Sequence, residues 1–242
     1  GFGLVTLLMP VCALFFPVET AVAATAVVHG ANSIFKIMAA GRHADRSLVL
    51  NFGIPAIMAA FAGAWVLVSV SGFPALFQYT IGPVQALVTP IKLMMGILMT
   101  VFAMFELIPR LKTLTFDRKY LFIGGLLSGF FGGLSGHQGA LRSAFLAKTG
   151  ISAKAFVGTN AAIGFLVDMT RIATYGIIIV FAGQTRIIEP DLWPLILTGI
   201  AAAFIGVRIG KRFLDKITMS LVQTLTGTLL LIIAVLLGSG LI

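Results

Sequence analysis

Charged side chains are scarce in this sequence. Only 10% of the 242 residues are Asp, Glu, Lys or Arg, against about 25% in ordinary soluble domains. Stretches without any charged residue cover 1–18, 47–91, 120–141, 192–207 and 217–242. Several of them exceed the roughly 20 residues that span a bilayer as a helix. The sequence therefore predicts an all-α integral membrane protein, folded as one compact helical bundle without a soluble domain.

Cysteine is almost absent, since Cys12 is the only one. A single thiol excludes an internal disulfide and a C-x-x-C site. The three histidines, at 29, 43 and 137, are not spaced like metal ligands, and no nucleotide-binding loop, nucleophile elbow or pair of catalytic carboxylates is found. No metal, cofactor or enzymatic activity is therefore expected.

Acidic residues are also few, with 8 Asp and Glu against 17 Lys and Arg, which gives a net charge of +9. Such a charge can indicate nucleic-acid binding, but here the basic residues lie in short loops. That distribution is typical of cytoplasmic loops in membrane proteins, so the expected surroundings are a lipid bilayer and not a nucleic acid. The first apolar run has no basic segment before it, so no cleavable signal peptide is expected. Because the chain begins at Gly1 and not at Met, an upstream piece is expected to be missing.

Apolar residues fall into eight segments, near 1–16, 20–40, 48–71, 82–109, 120–148, 155–182, 191–208 and 217–240. Basic residues lie between some of these segments and are sparse between others. They are concentrated in four loops, at 36–46, 110–119, 148–154 and 208–216.

The segment 120–148 contains a glycine-rich interruption, Gly-Gly-Leu-Ser-Gly-His-Gln-Gly at 132–139. Broken backbone at membrane depth is tolerated only where it faces protein or a watery cavity. If 120–148 crosses the membrane once, the last two basic loops lie outside, against the positive-inside rule. If it enters, turns at the break and returns, all four basic loops are cytoplasmic. The charge pattern favours this re-entrant hairpin over a single crossing.

The two halves of the chain are weakly similar. Residues 21–25 align with 155–159. In the same alignment of the two halves, the position of Lys36 falls within one residue of that of Arg171, and Gly1 aligns with Gly136. Equivalent loops in the two halves carry opposite charge bias, as in inverted-topology repeats. We therefore expect a first repeat over 1–110, its N-terminal arm truncated, and a second over 120–242. Each would consist of a glycine-broken, re-entrant segment and three transmembrane helices.

Three stretches resemble a known family. They are the glycine-rich opening Gly1-Phe2-Gly3 that leads to Met9-Pro10, the helix with small and Thr/Asn residues from Ala21 to Ser33, and the second glycine-rich stretch from Gly129 to Gly136. In these features and in layout the chain is similar to the TauE/SafE membrane permeases, also called sulfite exporters. The resemblance implies a multi-pass, two-repeat protein of the bacterial inner membrane that moves sulfite or related organosulfur anions.

The break supplies the first candidate binding residues. Free N–H groups and the positive end of a helix dipole suit an oxyanion, and a nearby Arg can hold such a group through two hydrogen bonds. The alternative is that the glycines only allow close helix packing while Arg142 extends to the surface. The candidates here are Gly136, His137, Gln138, Gly139, Arg142 and Ser143.

Polar residues on two other helices form the second group. Thr25, His29, Asn32 and Ser33 share one helical face, and Thr159 and Asn160 lie on the counterpart helix. They either line a pathway or bond to neighbouring helices. His29 could also donate to a substrate, relay protons or be structural. Cys12 could contact a sulfur-containing anion or be a small apolar filler.

Asp168 and Arg171 lie three residues apart within the apolar segment 155–182. An isolated charge there is costly, so mutual pairing is one interpretation. The other makes Asp168 a titrating carboxylate for proton coupling, with Arg171 as its partner. Together these patterns indicate a secondary transporter of a small anion that works by alternating access. A passive anion channel or a membrane-embedded enzyme are the alternatives.

Overall fold

The computed structural model describes residues 4–182, 190–213 and 219–242. These residues form ten α-helices and one two-stranded sheet. The helices are α1 (Leu4–Ala13), α2 (Val18–Ala40), α3 (Arg46–Ser71), α4 (Pro90–Leu107), α5 (Pro109–Lys112), α6 (Leu121–Ser135), α7 (Gly139–Leu146), α8 (Ala153–Ala182), α9 (Trp193–Phe213) and α10 (Met219–Gly238). Strands β1 (Phe77–Ile81) and β2 (Val84–Val88) lie between α3 and α4.

The protein is helical as predicted, with the exception of this β-hairpin. Continuous helix was expected over 82–109, but helix begins only at Pro90. Gly82 has a φ of 59°, which suits a two-residue hairpin loop that begins with glycine. The flanking residues are rich in β-branched and aromatic types, which favour strands. The turn at Gly82 and the strand-favouring residues around it therefore produce a β-hairpin in the first part of a segment whose hydrophobicity alone would also fit a helix.

Five described helices are long and apolar enough to cross a membrane, namely α2, α3, α4, α8 and α10. The stretch Pro190–Gly206, which leads into α9, is apolar over a shorter length. The structure therefore supports a multi-pass membrane protein but does not confirm eight segments of spanning type, because α1, α6 and α7 are too short.

The segment 120–148 is not a single rod. Helix α6 ends at Ser135, and Gly136 after it has a left-handed φ of 83°, the usual conformation after a helix C-terminus. Helix α7 then returns beside α6, so that the two ends of the segment meet. Lys148 Nζ lies 3.7 Å from Asp117 Oδ1, and the Phe116 N–H donates to the Ala144 carbonyl at 3.1 Å. Helices α6 and α7 are thus the two arms of a hairpin.

Glycine allows α6 to lie directly against the backbone of α3. A Cβ added at Gly129 would be 2.1 Å from the Ala56 carbonyl oxygen, and at Gly133 2.0 Å from that of Ala60. Gly125 faces the Phe52 carbonyl in the same way, at 2.4 Å. Side chains of any size would separate the two helices, so this part of the glycine-rich pattern serves packing.

Three basic loops lie at one end of the bundle. The Asp45 N–H donates to Thr159 Oγ1 at 2.9 Å, which joins the loop after α2 to the start of α8. The Asp117–Lys148 pair joins the loop before α6 to the loop after α7. The β-hairpin contacts the C-terminus instead, through a 2.7 Å hydrogen bond from Tyr79 Oη to the Ser239 carbonyl.

We expect Gly129→Ala to destabilise the protein by about 1–3 kcal/mol or more, as overpacked cores are destabilised, because its Cβ would overlap the backbone of α3. Gly176→Ala is the matched control, since its Cβ would meet nothing within 4 Å and alanine favours helix. Thermal unfolding in detergent, followed by circular dichroism, measures both. Equal melting temperatures for the two variants would contradict the tight α3–α6 contact.

Candidate functional site

A buried carboxylate lies at the centre of the bundle. Asp168 is 0% exposed and lies about halfway along α8. One of its oxygens contacts His29 Nδ1, about halfway along α2. The other lies 3.0 Å from a guanidinium nitrogen of Arg171, which is also 0% exposed. The predicted pairing of Asp168 with Arg171 is present, and His29 joins it from a helix 139 positions away in sequence.

A chain of polar side chains connects this carboxylate to the hairpin break. Gln138 Nε2 donates to Asp168 Oδ1 at 3.5 Å, and Gln138 Oε1 accepts from Arg142 Nη1 at 2.8 Å. Arg142 Nε donates to Asn160 Oδ1, and Asn160 Nδ2 donates to Ser143 Oγ at 3.3 Å. Seven of the candidates from the sequence thus belong to one continuous network: His29, Gln138, Arg142, Ser143, Asn160, Asp168 and Arg171.

The helical repeat of α8 explains why these groups converge. Residues 160, 164, 168, 171 and 175 recur at helical spacing and share one face of the helix. Gly164 on this face leaves room for the side chain of Arg142 on α7, because a Cβ added at Gly164 would be 3.2 Å from a guanidinium nitrogen of Arg142. This face therefore carries Asn160, one hydrogen-bond partner of Arg142, and leaves the space that the guanidinium occupies.

The break positions Gln138 against α8. Its backbone N–H donates to the Gly136 carbonyl at 2.9 Å, and its carbonyl accepts from the Arg142 N–H at 3.0 Å. Ser128 Oγ on α6 donates to the same carbonyl at 3.2 Å. These contacts satisfy backbone groups that lipid would leave unpaired, and they fix the side chain, which is 1% exposed.

The charges of the network do not cancel. Arg142 (4% exposed) and Arg171 are both buried, against the single carboxylate of Asp168. Arg142 contacts only neutral amide oxygens, those of Gln138 and Asn160, in its side-chain hydrogen bonds. Lys36 lies close enough to interact electrostatically with Arg142 and Asp168. With His29 neutral, the buried network has a surplus positive charge that a bound anion would compensate.

His137 lies on the other side of the break, against α4. Its ring stacks on Phe102 with centroids 5.4 Å apart, and its Nδ1 lies 3.2 Å from Ser135 Oγ. His137 Nε2 and Asn32 Oδ1 are buried and have no hydrogen-bond partner within the described residues. Both atoms are available for a ligand.

Several predicted site residues lie outside the network. Thr159 Oγ1 accepts from the Asp45 backbone, and Thr25 Oγ1 donates to the Ala21 carbonyl at 2.7 Å. Cys12 lies beside Thr25. Ser33 is buried on α2, and Gly136 and Gly139 contribute backbone at the break and at the start of α7.

Gly164 and Tyr175 on α8 and Ser128 on α6 were not predicted as site residues. Tyr175 Oη donates to the Gly133 carbonyl at 3.4 Å, next to the 3.4 Å bond from Arg171 Nη1 to the Gly132 carbonyl. Gly164 and Tyr175 share a helical face with Asp168, so spacing is a signal for their position, although not for the space that Gly164 leaves for Arg142. Ser128 carried no such signal. Among the described residues, no group of three or more His, Cys, Asp or Glu side chains could hold a metal ion.

The sequence model of the family described as "Sulfite exporter TauE/SafE" matches residues 1–237. The chain belongs to the TauE/SafE family. The resemblance inferred from the glycine-rich stretches is confirmed, and it covers nearly the whole sequence. TauE/SafE proteins are membrane transporters and not enzymes, in agreement with the apolar helices. No curated protein and no solved structure matches the chain significantly.

We expect Asp168→Asn to cost about 3–5 kcal/mol of stability, because it leaves Arg171 as a buried charge without a counter-ion. Asp117→Asn is the control with the same chemical change. Asp117 is 63% exposed in its pair with Lys148, and exposed pairs contribute under about 1 kcal/mol. Thermal unfolding in detergent should show a large loss for the first variant only. A stable Asp168→Asn protein would show that Arg171 does not depend on this carboxylate.

Proposed function

We propose that this protein is a permease for a small oxyanion, with sulfite or a related sulfonate as the preferred substrate, and that it works by alternating access. The observation that carries the proposal is the buried guanidinium of Arg142, held at the hairpin break by neutral amide oxygens. A buried cation without a contacting carboxylate is costly. An anion that compensates this charge would therefore bind favourably.

The geometry around Arg142 suits a compact anion with several oxygens. A guanidinium presents planar donors that can hold two oxygens at once. Asn160 and Ser143 supply further polar groups within hydrogen-bonding reach of each other. Arg142 also lies in the first turn of α7, where the helix dipole favours negative charge. An incoming anion would replace the amide oxygens that now accept from Arg142.

A carrier agrees better than a channel with the buried state of the network. Arg142, Asp168 and Arg171 are nearly inaccessible, so that a substrate can enter only if the helices around them move. The packing supports two repeats, over 1–110 and 120–242. Helix α2 of the first repeat contacts α9 of the second repeat. In the same way, α8 of the second repeat contacts α3 of the first repeat. Helices α2 and α8 also contact each other, as paired elements of two related halves would.

The hairpin of α6 and α7 is proposed to enter and leave the membrane at the cytoplasmic face. Its ends lie among basic loops, and basic loops of membrane proteins are cytoplasmic. The host membrane would be the bacterial inner membrane. The His29–Asp168 pair, the only described contact between an imidazole and a carboxylate in the bundle interior, is proposed to carry a proton during transport.

Purified protein in proteoliposomes should take up one or more of sulfite, thiosulfate, sulfonates or carboxylates. Arg142→Ala should reduce uptake at least about tenfold, because a charge-assisted hydrogen bond contributes about 1.5–3 kcal/mol. Arg142→Lys should be intermediate, since it keeps the charge but not the planar donors. Arg118→Ala, in an exposed loop, is the control. Normal uptake by Arg142→Ala would remove this residue from the site.

The same vesicles separate the permease from the alternatives. Accumulation of the anion against its gradient, driven by an imposed proton gradient, excludes both a passive channel and an enzyme. Equilibration without accumulation would favour the channel.

The topology is tested with single cysteines at Asp117 and Lys148, introduced after Cys12→Ser removes the native thiol. We expect both positions to react with a membrane-impermeant thiol reagent only from the cytoplasmic side. A cysteine at Gln85 in β2 should react only from the opposite side. Labelling of positions 117 and 148 from different sides would overturn the hairpin.

A further inference from the structure

The side chain of Gln138 joins the two charged parts of the network. Its carbonyl oxygen accepts from Arg142 at 2.8 Å, and its NH₂ group donates to Asp168 at 3.5 Å. Chemistry fixes this orientation, because a guanidinium only donates and a carboxylate only accepts hydrogen bonds. Gln138 is the only described side chain that bonds to both of these groups.

We propose that Gln138 is the positioning residue through which anion binding at Arg142 promotes proton binding at the His29–Asp168 pair, so that anion and proton move together. The inference rests on the proposed anion transport and adds the element that couples the two ions. Gln138 itself does not carry the proton.

The first step follows from the strengths of the competing hydrogen bonds. An anionic oxygen forms shorter and stronger bonds to a guanidinium than a neutral amide does. A bound oxyanion therefore displaces the Gln138 carbonyl from Arg142. The contact of Gln138 with Asp168 is the longer of its two side-chain contacts, so it is weak at that distance. Once released from Arg142, the amide no longer holds its NH₂ group against the carboxylate.

The second step follows from the hydrogen bonds to Asp168. The carboxylate loses the bond from Gln138, and the loss of a donor to its charged form favours a bound proton. The other groups that act on the His29–Asp168 pair are Arg171 and Tyr175 on α8, Lys36 on α2 and Arg142 on α7. By thermodynamic reciprocity, a bound proton must also strengthen anion binding.

The test uses an anion whose charge is constant between about pH 5.5 and about pH 8, the range in which histidine titrates. Thiosulfate and methanesulfonate fulfil this condition, whereas sulfite takes up a proton itself. For the wild type in proteoliposomes, we expect the half-saturating anion concentration to rise by up to about tenfold per pH unit across this range, the limit for one coupled proton.

In Gln138→Met, which keeps the length but neither polar end, the pH dependence should flatten to less than about threefold per pH unit. A residue needed only for folding would lower activity without changing this slope. Gln138→Asn keeps an amide but is too short to reach both partners, and we expect it to flatten the slope as well. Gln85→Leu, on the surface of β2, should behave like the wild type.

A measurement on the unmodified network completes the test. Infrared difference spectra should show a protonated carboxyl or imidazolium band when the anion is added to wild-type protein. An unchanged pH slope in either folded Gln138 variant, or neither anion-dependent band in the wild type, overturns the coupling while anion uptake still supports the permease. Failure of the wild type to take up any tested anion overturns both proposals.

Discussion

The structure depends on the requirement that a charged side chain inside a hydrocarbon layer is held by polar or oppositely charged neighbours. Asp168 meets this requirement for three elements at once. It forms an ion pair with Arg171 on its own helix, contacts His29 on α2 and accepts a hydrogen bond from Gln138 at the hairpin break. Loss of any one partner would leave a charge or a donor unpaired in a medium that does not solvate it. The positions of α2, α8 and the break are therefore set by the same carboxylate.

The hairpin adds a second requirement, which is steric. Helix α6 reaches its place only because its glycines allow contact with the carbonyl groups of α3. The other side of α6 carries the carbonyls of Gly132 and Gly133, which accept from Arg171 and Tyr175. One short helix thus packs closely against α3 and also satisfies donors of α8, and Gly133 takes part in both contacts. The packing role expected for the glycine-rich stretch is present in the structure, whereas its role in binding stays a prediction.

Much of this arrangement could be predicted from the sequence, because the membrane restricts the possibilities. The rarity of charge made Asp168, Arg171 and Arg142 conspicuous, and the basic loops indicated that 120–148 returns to the side from which it came. The contact between His29 and Asp168 was not predictable, since it depends on how α2 crosses α8. The role of Gly164 was hidden for a similar reason, because space for Arg142 is a property of packing and not of one residue. The β-hairpin was missed because the hydrophobicity of 82–109 suggested continuous helix, whereas its first residues are determined by the Gly82 turn.

The C-terminal residues have a consequence for where movement can occur. The Leu87 N–H donates to the Gly240 carbonyl at 2.9 Å, Tyr79 holds Ser239, and α4 and α10 touch at Gly96 and Gly238. These contacts tie the strands and two long helices into one block. A block fastened at this end by backbone bonds and by the contact between two glycines is suited to remain stationary as a frame. Under the proposed transport mechanism, the displacement that exposes Arg142 would then fall to the elements around the buried network, where the polar contacts of Asp168, Gln138 and Arg142 can be exchanged.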